Sequence, residues 1–266
     1  MIELFNKVND LSDLHCHIVP YADDGVEDFE TAREMIIKEY SQGVRSIVAT
    51  PHLRYGMFDT PGNAIQKHFT ELGKWLDKTN MNDLALFISR EYYCDERLLV
   101  LLDGFISGKN EVYYNGQCYI PKEEILPFGK HRCVLLEFSS NRIQTDEFAE
   151  YINRTVEIGL TPIIAHVERY PAVQENPSIV GRMKEIGAYI QVNCESVLTR
   201  NKSVEGTTTD ILIKQELVDV AASDSHDLNW RLPNIKRGYS HLKRVYGKDI
   251  ADKLLRLNAQ FLIFDR

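Results

Sequence analysis

The segment Asp13-Leu14-His15-Cys16-His17 closes a predicted buried strand, residues 11–17, with two imidazoles. Alternation along a strand turns His15 and His17 to one face and Cys16 to the other, so the histidine pair can grip one ion. Six further apolar runs also end in polar side chains, most of them metal-binding. These runs end in Thr50-Pro51-His52, Arg90-Glu91-Tyr92-Tyr93, Leu135-Leu136-Glu137, Ile164-Ala165-His166, Val192-Asn193 and Ser223-Asp224-Ser225-His226.

Helical patterns separate the seven predicted strands. Apolar residues recur at helical spacing in residues 28–42, and Thr60-Pro61 opens another helix. Strand–helix alternation indicates an α/β fold with a parallel sheet, and seven strands favour a barrel of the TIM type, (β/α)7. The carboxyl ends of parallel barrel strands meet at one rim, so the polar strand ends are expected to meet there.

No repeat, low-complexity tract or linker interrupts the chain, which predicts a single domain over residues 1–266. Two β-prone runs flank Asn115-Gly116, a strong signal for a hairpin near residues 110–120. We expect this hairpin to be an insertion near the rim. It is either a wall of the site or a peripheral element without a role in the site.

Composition narrows the class of protein. The net charge is −8 without a run of Lys or Arg, which argues against nucleic acid as the main ligand. The five cysteines are scattered and form no C-x-x-C pair, which favours reduced thiols. Residues 1–10 carry charges unlike those of a signal peptide, and no apolar run reaches the roughly 18 residues of a membrane span. A cytoplasmic protein is therefore expected.

The residues expected at the rim combine imidazoles with carboxylates: His15, His17, His52, Glu91, Glu137, His166, Asp224 and His226. Mixed nitrogen and oxygen ligands suit Mn²⁺, Fe²⁺ or Zn²⁺, whereas Mg²⁺ and Ca²⁺ prefer oxygen alone. The pattern is typical of a multinuclear metallohydrolase. Asp13 precedes the histidine pair, and it is expected either to hydrogen-bond a ligand imidazole or to serve the structure.

A family resemblance rests on these motifs taken in order. They are the Asp13–Pro20 segment with Asp23-Asp24-Gly25, Thr50-Pro51-His52, Glu91-Tyr92-Tyr93, Leu136-Glu137-Phe138-Ser139, Ala165-His166-Val167-Glu168-Arg169-Tyr170, Gln191-Val192-Asn193 and Ala222-Ser223-Asp224-Ser225-His226. Over about residues 11–233 the chain resembles the polymerase-and-histidinol-phosphatase (PHP) superfamily. Within it, the chain is most similar to the metal-dependent protein-tyrosine phosphatases of bacterial capsule and exopolysaccharide operons. The resemblance implies a distorted seven-stranded barrel that holds three divalent ions. Mn²⁺ or Fe²⁺ is expected ahead of Zn²⁺.

The resemblance also assigns roles to individual residues. It places one ion on His15, His17, Glu91 and Asp224. It places a second on His52, His166 and a bridging Glu91, and a third on Asp24, Glu137 and His226. It assigns Arg169 and Arg231 to the phosphate. Three features depart from the family pattern: Ser89-Arg90 before the Glu of the third strand, a long hairpin, and a large Trp230 beside Arg231.

The implied reaction is hydrolysis of a phosphate monoester by a metal-activated hydroxide, with the arginines stabilising the phosphoryl oxygens. The implied substrate is a phosphotyrosine protein, the tail of a bacterial tyrosine kinase. Glu168 is expected either to pair with Arg169 or to be a solvated loop carboxylate.

Several alternatives share parts of this pattern. A histidinol-phosphate or other small-molecule phosphatase would use the same metals. The acidic balance disfavours a nuclease, and the two arginines disfavour a metal-stabilised binding protein without turnover. Cys194 and Arg200 have the C-x₅-R spacing of cysteine phosphatases, but the segment contains no glycine to wrap a phosphate, and Glu195 would repel the anion.

Overall fold

Parallel strands alternate with helices in the computed structural model, which describes residues 10–139 and 145–265. Residues 1–9, which make up most of the charged N-terminal segment, lie outside this description. The strands are β1 (Leu11–Cys16), β2 (Val44–Ala49), β3 (His52–Leu53), β4 (Ala85–Ile88), β5 (Glu91–Tyr93), β6 (Val112–Tyr114), β7 (Gln117–Tyr119), β8 (Cys133–Glu137), β9 (Thr161–Ile164), β10 (Tyr189–Asn193) and β11 (Val220–Ala222).

Most helices lie between these strands. They are α1 (Phe29–Ser41), α2 (Gly62–Leu76), α3 (Glu96–Ile106), α4 (Pro121–Glu124), α5 (Thr145–Glu157), α6 (Pro171–Glu175), α7 (Ile179–Ile186), α8 (Cys194–Leu198), α9 (Val204–Lys214), α10 (Ile235–Tyr246), α11 (Lys248–Asp252) and α12 (Asn258–Phe264). A 3₁₀ turn covers Val167–Arg169, and a π-helical turn covers Lys253–Leu257. Among the described residues, no helix has both the length and the apolar character needed to cross a bilayer.

The strands form two parallel sheets and one hairpin. The first sheet has the order β1-β2-β4, and the second has the order β11-β10-β9-β8-β5-β3. The sheets adjoin because the predicted second and third strands each break in two, at Thr50-Pro51 and at Ser89-Arg90. Pro51 has no N–H for the strand ladder, which accounts for the first break. The α/β class with mainly parallel sheets is thus confirmed, and the closed seven-stranded barrel stays a prediction.

The end of β1 also lies beside the chain that follows β11. Cys16 forms a parallel bridge with Ser225, and the backbone N–H of Asp224 donates to the carbonyl of His15 at 2.8 Å. The first and last strands therefore bring their polar carboxyl ends together.

The predicted hairpin is present as β6 and β7, which pair antiparallel from Val112–Tyr119 to Tyr114–Gln117. Asn115 and Gly116 connect them with positive φ angles of 47° and 79°. Two successive residues with positive φ suit a tight hairpin turn, and the Asn-Gly pair tolerates this conformation best. Tyr114 packs edge-on against Tyr55, so the hairpin lies next to the loop that follows His52 and β3.

The C-terminal segment packs onto the strands. Residues 261–264 belong to helix α12, which packs Leu262 and Ile263 against strand residues such as Leu14 and Val48. The carbonyls of Leu262 and Ile263 accept hydrogen bonds from His131 and Lys130, which precede β8. The helix therefore closes the core at the amino end of β8, away from Glu137.

Candidate metal centre and phosphate site

The structure brings the nine predicted metal ligands to one region, at the strand ends or in the loops that follow them. His15 lies near the carboxyl end of β1, and His17 is the first residue after that strand. His52 and Glu91 come just after the two strand breaks, and they are direct partners in the pairing of β3 with β5. Glu137 is the last residue of β8, whereas the loops after β9 and β11 carry His166 and Asp224. The breaks therefore let two strands supply buried ligands.

Two of these residues adopt an unusual backbone conformation. His166 has φ 30° and Asp224 has φ 53°, in the left-handed backbone region that residues other than glycine rarely adopt. Such conformations persist where the surrounding structure enforces them, commonly at functional sites. Here they end the strands abruptly, so that both side chains lie in the cluster.

The first group of candidate ligands contains His15, His17, Glu91 and Asp224. Glu91 Oε2 lies 3.1 Å from His15 Nε2 and 3.3 Å from His17 Nε2. Asp224 Oδ1 lies 3.4 and 3.6 Å from the same two nitrogens. All four side chains are at most 1% exposed. Two imidazoles and two carboxylates thus face a common point in the interior.

A second group surrounds Glu91 and Glu137. His166 Nε2 lies 2.8 Å from Glu91 Oε1 and 3.9 Å from Glu137 Oε1. His52 Nδ1 lies 3.2 Å from Glu91 Oε2 and 3.6 Å from Glu137 Oε2. Glu91 therefore contacts both groups, as expected for a bridging carboxylate.

The third group forms at Asp24. Its Oδ1 lies 3.7 Å from His52 Nε2 and 3.5 Å from His226 Nε2. This grouping differs from the one that the resemblance implies, in which Glu137 joins Asp24 and His226. The carboxylate of Glu137 instead contacts His52 and His166, while His52 presents its other ring nitrogen to Asp24.

The donor atoms of the cluster fit bound cations. Among the residues that the structure describes, His52 Nδ1, Glu137 Oε2 and His226 Nε2 have no hydrogen-bond partner although they are buried. Because buried polar atoms are rarely left unpaired, these atoms are available to coordinate an ion. Burial and the neighbouring Glu91 carboxylate raise the pKa of Glu137 to about 7, a sign of crowded negative charge that cations would offset.

Two residues that sequence reasoning did not single out orient the histidines. Asp23 Oδ2 lies 2.7 Å from His17 Nδ1 and accepts a hydrogen bond from the backbone N–H of His52 at 2.7 Å. Gln191 Oε1 lies 3.2 Å from His15 Nδ1. Such partners fix the ring orientation, leaving the other nitrogen for an ion. Both residues stood in quoted motifs, but neither motif indicated where the side chain points.

The interaction with Asp23 also governs the charge of His17. Burial alone lowers the pKa of this imidazole, but the adjacent Asp23 carboxylate, helped by Glu91, raises it to about 10.

Gly25 allows the acidic turn that bears Asp23 to approach His17 this closely. A Cβ at Gly25 would lie 2.4 Å from the carbonyl oxygen of His17 and 3.0 Å from Asp23 Oδ1. A side chain there would displace the turn from β1.

Arg169 and Arg231 lie on either side of Asp224. Arg169 Nη1 is 2.9 Å from Asp224 Oδ2, and Arg231 Nη2 is 2.7 Å from Asp224 Oδ1. Their side chains stay 41% and 37% exposed, so each retains donors toward solvent. They line a cavity of about 280 Å³ together with Asn193 and with Trp230, which is 92% exposed. We call it the arginine cavity.

The structure bears on the alternatives left open for two carboxylates, and it favours the structural role for Asp13. Glu168 is not a solvated carboxylate: it is fully buried and accepts hydrogen bonds from Asn193 N at 3.0 Å and Ser196 Oγ at 2.7 Å. Asp13 does not bind an imidazole: it accepts hydrogen bonds from the hydroxyl and the backbone N–H of Ser223 and from the backbone N–H of His15. Both carboxylates hold loops of the rim in place.

The C-x₅-R alternative has no support in the geometry. Cys194 is fully buried, and burial raises the pKa of its thiol well above the usual value, so the reactive thiolate is disfavoured. Arg200 pairs with Asp210 at 2.5 Å. The segment therefore offers neither a thiolate nor a free arginine.

Comparisons with known proteins agree with this site. Residues 11–105 and 104–264 match the family described as capsular polysaccharide synthesis, CpsB/CapC. The chain belongs to this family, which confirms the resemblance to proteins of capsule synthesis.

The curated relatives are tyrosine-protein phosphatases. CpsB of Streptococcus pneumoniae is 29% identical over 259 residues, covering 96% of this chain and 98% of the relative. CpsB of Streptococcus agalactiae serotype V is 30% identical, with coverage of 94% and 97%. YwqE of Bacillus subtilis is 26% identical over 254 residues, with coverage of 94% and 91%.

Solved structures show the same fold. A structure described as YwqE from Bacillus subtilis and CpsB from Streptococcus pneumoniae, unique metal-dependent tyrosine phosphatases, aligns with a TM-score of 0.80 at 24% identity. The alignment covers 96% of this chain and 95% of the other. The phosphotriesterase homology protein of Escherichia coli, with phosphate in its active site, aligns with a TM-score of 0.57 at 11% identity and coverage of 95% and 98%.

Proposed function

We propose that this protein is a metal-dependent tyrosine phosphatase that acts on a phosphotyrosine protein in capsule or exopolysaccharide synthesis. The observation that carries the proposal is the position of the arginine pair. Arg169 and Arg231 both contact Asp224, which also contacts His15 and His17 of the buried cluster. Membership of the CpsB/CapC family and the phosphatase relatives support the same conclusion.

We assign three divalent ions to the cluster, Mn²⁺ or Fe²⁺ first and Zn²⁺ second, because the donors are nitrogen and oxygen. The distances between donor atoms support three sets, and His52 lies within reach of two of them. His15, His17, Glu91 and Asp224 would hold one ion. Glu91, Glu137 and His166 would hold a second, and Asp24, His52 and His226 would hold a third.

The chemistry divides between the ions and the side chains. Bound divalent ions polarise phosphoryl oxygens and lower the pKa of a coordinated water to near neutral. Arg169 and Arg231 would bind the remaining phosphoryl oxygens and stabilise the charge that they gain. Asp224 would hold both guanidinium groups at the edge of the cluster. A tyrosine leaving group has a pKa of about 10, so it departs without strong protonation.

The wider context of the protein follows from the same proposal. The substrate would be the phosphorylated tail of a bacterial tyrosine kinase. Free thiols at all five cysteines support a cytoplasmic setting. The two adjoining sheets, with the contacts between the ends of β1 and β11, support one domain built as a distorted seven-stranded barrel.

A substrate panel tests the proposed activity. The Mn²⁺-loaded full chain should hydrolyse a phosphotyrosine peptide and p-nitrophenyl phosphate faster than bis-p-nitrophenyl phosphate or histidinol phosphate. Excess EDTA should abolish turnover and lower the melting temperature, because ions bind the folded state. Faster cleavage of histidinol phosphate would indicate the small-molecule phosphatase instead. Binding of ions without turnover of any substrate would indicate a non-catalytic protein.

The arginine pair has its own test. Arg169→Lys and Arg231→Lys should each lower kcat on the phosphotyrosine peptide on the order of 10²-fold, because lysine cannot supply the bidentate fork. The bound metal, measured by mass spectrometry, should not change. Arg182→Lys, an exposed residue of α7, provides the matched control. Full activity in both variants would remove the arginines from the mechanism.

A further inference from the structure

A second and larger cavity adjoins the arginine cavity. It has a volume of about 770 Å³ and lies between α1, the end of α8 and α10. Leu232 and Arg237 line both cavities, so the two are neighbours on one surface. We call the larger one the α10 groove and define it by Lys38, Leu232, Lys236, Arg237, His241 and Arg244.

The α10 groove is strongly basic on a protein whose net charge is −8. Four cations line it, and none of the described lining residues is acidic: the cations are Lys38, Lys236, Arg237 and Arg244. Within residues 10–139 and 145–265, none of these four cations has a carboxylate within 4 Å. Some cations elsewhere are paired, such as Lys184 with Asp219 at 2.5 Å and Lys214 with Asp210 at 2.6 Å. The groove therefore concentrates unpaired positive charge.

The position of this charge indicates the ligand. Arg237 lines both cavities, whereas the carboxylates Glu195 and Asp224 line the arginine cavity alone. A peptide that extends from the arginine cavity past Arg237 therefore enters a lining whose charged side chains are all basic. Leu198, Leu232 and Pro233 provide an apolar portion that suits a peptide backbone and its side-chain stems. A nucleic acid would extend beyond the groove onto an acidic protein, whereas a short acidic peptide would not.

We propose that the α10 groove binds acidic side chains, or a second phosphorylated residue, of the same peptide whose phosphotyrosine occupies the arginine cavity. This inference rests on the proposed function. It makes the enzyme selective for phosphotyrosine within an acidic segment. The contacts are exposed, so each is weak by itself, and several are needed for selectivity.

Two variants separate the groove from the remainder of α10. Lys236→Gln combined with Arg244→Gln removes two charges from the groove, and both residues are exposed, which spares the fold. Lys243→Gln removes one charge from the same helix at an exposed residue that does not line the groove. The substrates are a phosphotyrosine peptide flanked by four glutamates and the same peptide flanked by four glutamines.

The metal-loaded full chain should prefer the glutamate peptide by about 10-fold in kcat/KM, the combined effect of several weak ion pairs. The double variant should reduce this preference to about 2-fold, and Lys243→Gln should leave it intact. The preference should also weaken in high salt, because exposed charges are screened. Equal kcat/KM for both peptides in the wild type, or the same preference in the double variant, would overturn the inference.

A binding measurement distinguishes failure of the groove from failure of the proposed function. Fluorescence anisotropy of an unphosphorylated, labelled glutamate peptide reports on the groove without turnover. Weaker binding to the double variant than to the wild type would support the groove even if no phosphotyrosine peptide were hydrolysed. Equal binding, or tighter binding of a single-stranded oligonucleotide of matched charge, would reject an acidic peptide as the ligand.

Discussion

The buried cluster and the α10 groove handle charge in opposite ways. In the cluster, His15, His17 and Glu91 are fully buried, and their side chains lie about as close as hydrogen-bond partners. In the groove, Lys236 and Arg244 are exposed and have no carboxylate partner in the described part of the chain. The first arrangement suits catalysis, because the packed side chains hold one another in position. The second leaves charge free for a partner, so it suits recognition.

The largest expected effect tests whether the cluster acts as one unit. Glu91→Gln keeps the shape but removes the carboxylate that contacts both His15 and His166. Turnover should fall on the order of 10³-fold, the upper range for the loss of one stabilising group. Bound metal, measured by mass spectrometry, should fall as well. Glu185→Gln, exposed on α7, is the control. Unchanged metal content would show that the carboxylate does not bridge.

The next effect tests the support around the cluster. Asp23→Asn removes the carboxylate that orients His17, so metal affinity should fall about 10- to 100-fold, as for other groups that position a ligand. Titration of the metal-free protein with Mn²⁺ measures this change. Asp249→Asn, exposed on α11, should leave the affinity unaltered. The same affinity in both variants would mean that His17 needs no partner.

A smaller effect is expected where the two regions meet. Trp230 is 92% exposed beside the arginine cavity, and its ring can stack on the ring of a phosphotyrosine. Trp230→Ala should raise KM for a phosphotyrosine peptide about 2- to 10-fold, and Trp230→Phe should restore it. KM for glycerol phosphate, which lacks a ring, serves as the internal control. An equal rise for both substrates would assign Trp230 to structure rather than to recognition.

The smallest effect concerns the buried thiol. Cys194→Ala should change kcat/KM by less than about 2-fold, because the pKa of this thiol is raised by burial and the arginines of the site lie elsewhere. Steady-state kinetics with p-nitrophenyl phosphate measure it. Complete loss of activity with full metal content would revive the cysteine mechanism and undo the distinction between the two regions.

The sequence predicted the features that depend on the periodicity of apolar residues and on the order of polar residues along the chain. Apolar runs gave the strands, and the positions of His52, Glu91 and His166 along the chain predicted that they would meet. The resemblance added Asp24 and the arginines. The sequence could not predict which ring nitrogen faces which carboxylate. The resemblance groups Glu137 with Asp24 and His226, whereas in the structure its carboxylate lies within 4 Å of His52 and His166.

Other differences have equally local causes. The strand break at Pro51 follows from a missing N–H, but nothing in the apolar pattern indicates that a short strand resumes at His52. Glu168 follows His166 in a loop, where a carboxylate is usually exposed, and only the fold brings Asn193 and Ser196 to bury it. The α10 groove was not predicted because its charges come from α1 and α10, which are far apart in the sequence.

Gly25 shows that a residue without any reactive atom can decide whether the candidate metal centre forms. The hydrogen in place of its side chain lets the turn that bears Asp23 and Asp24 rest directly on His17. A single methyl group would push that turn away from His17 and so weaken both proposed ion sites to which His17 and Asp24 belong. In a library of random variants, alanine at Gly25 should therefore turn up among the inactive clones, although glycine itself takes no part in the reaction.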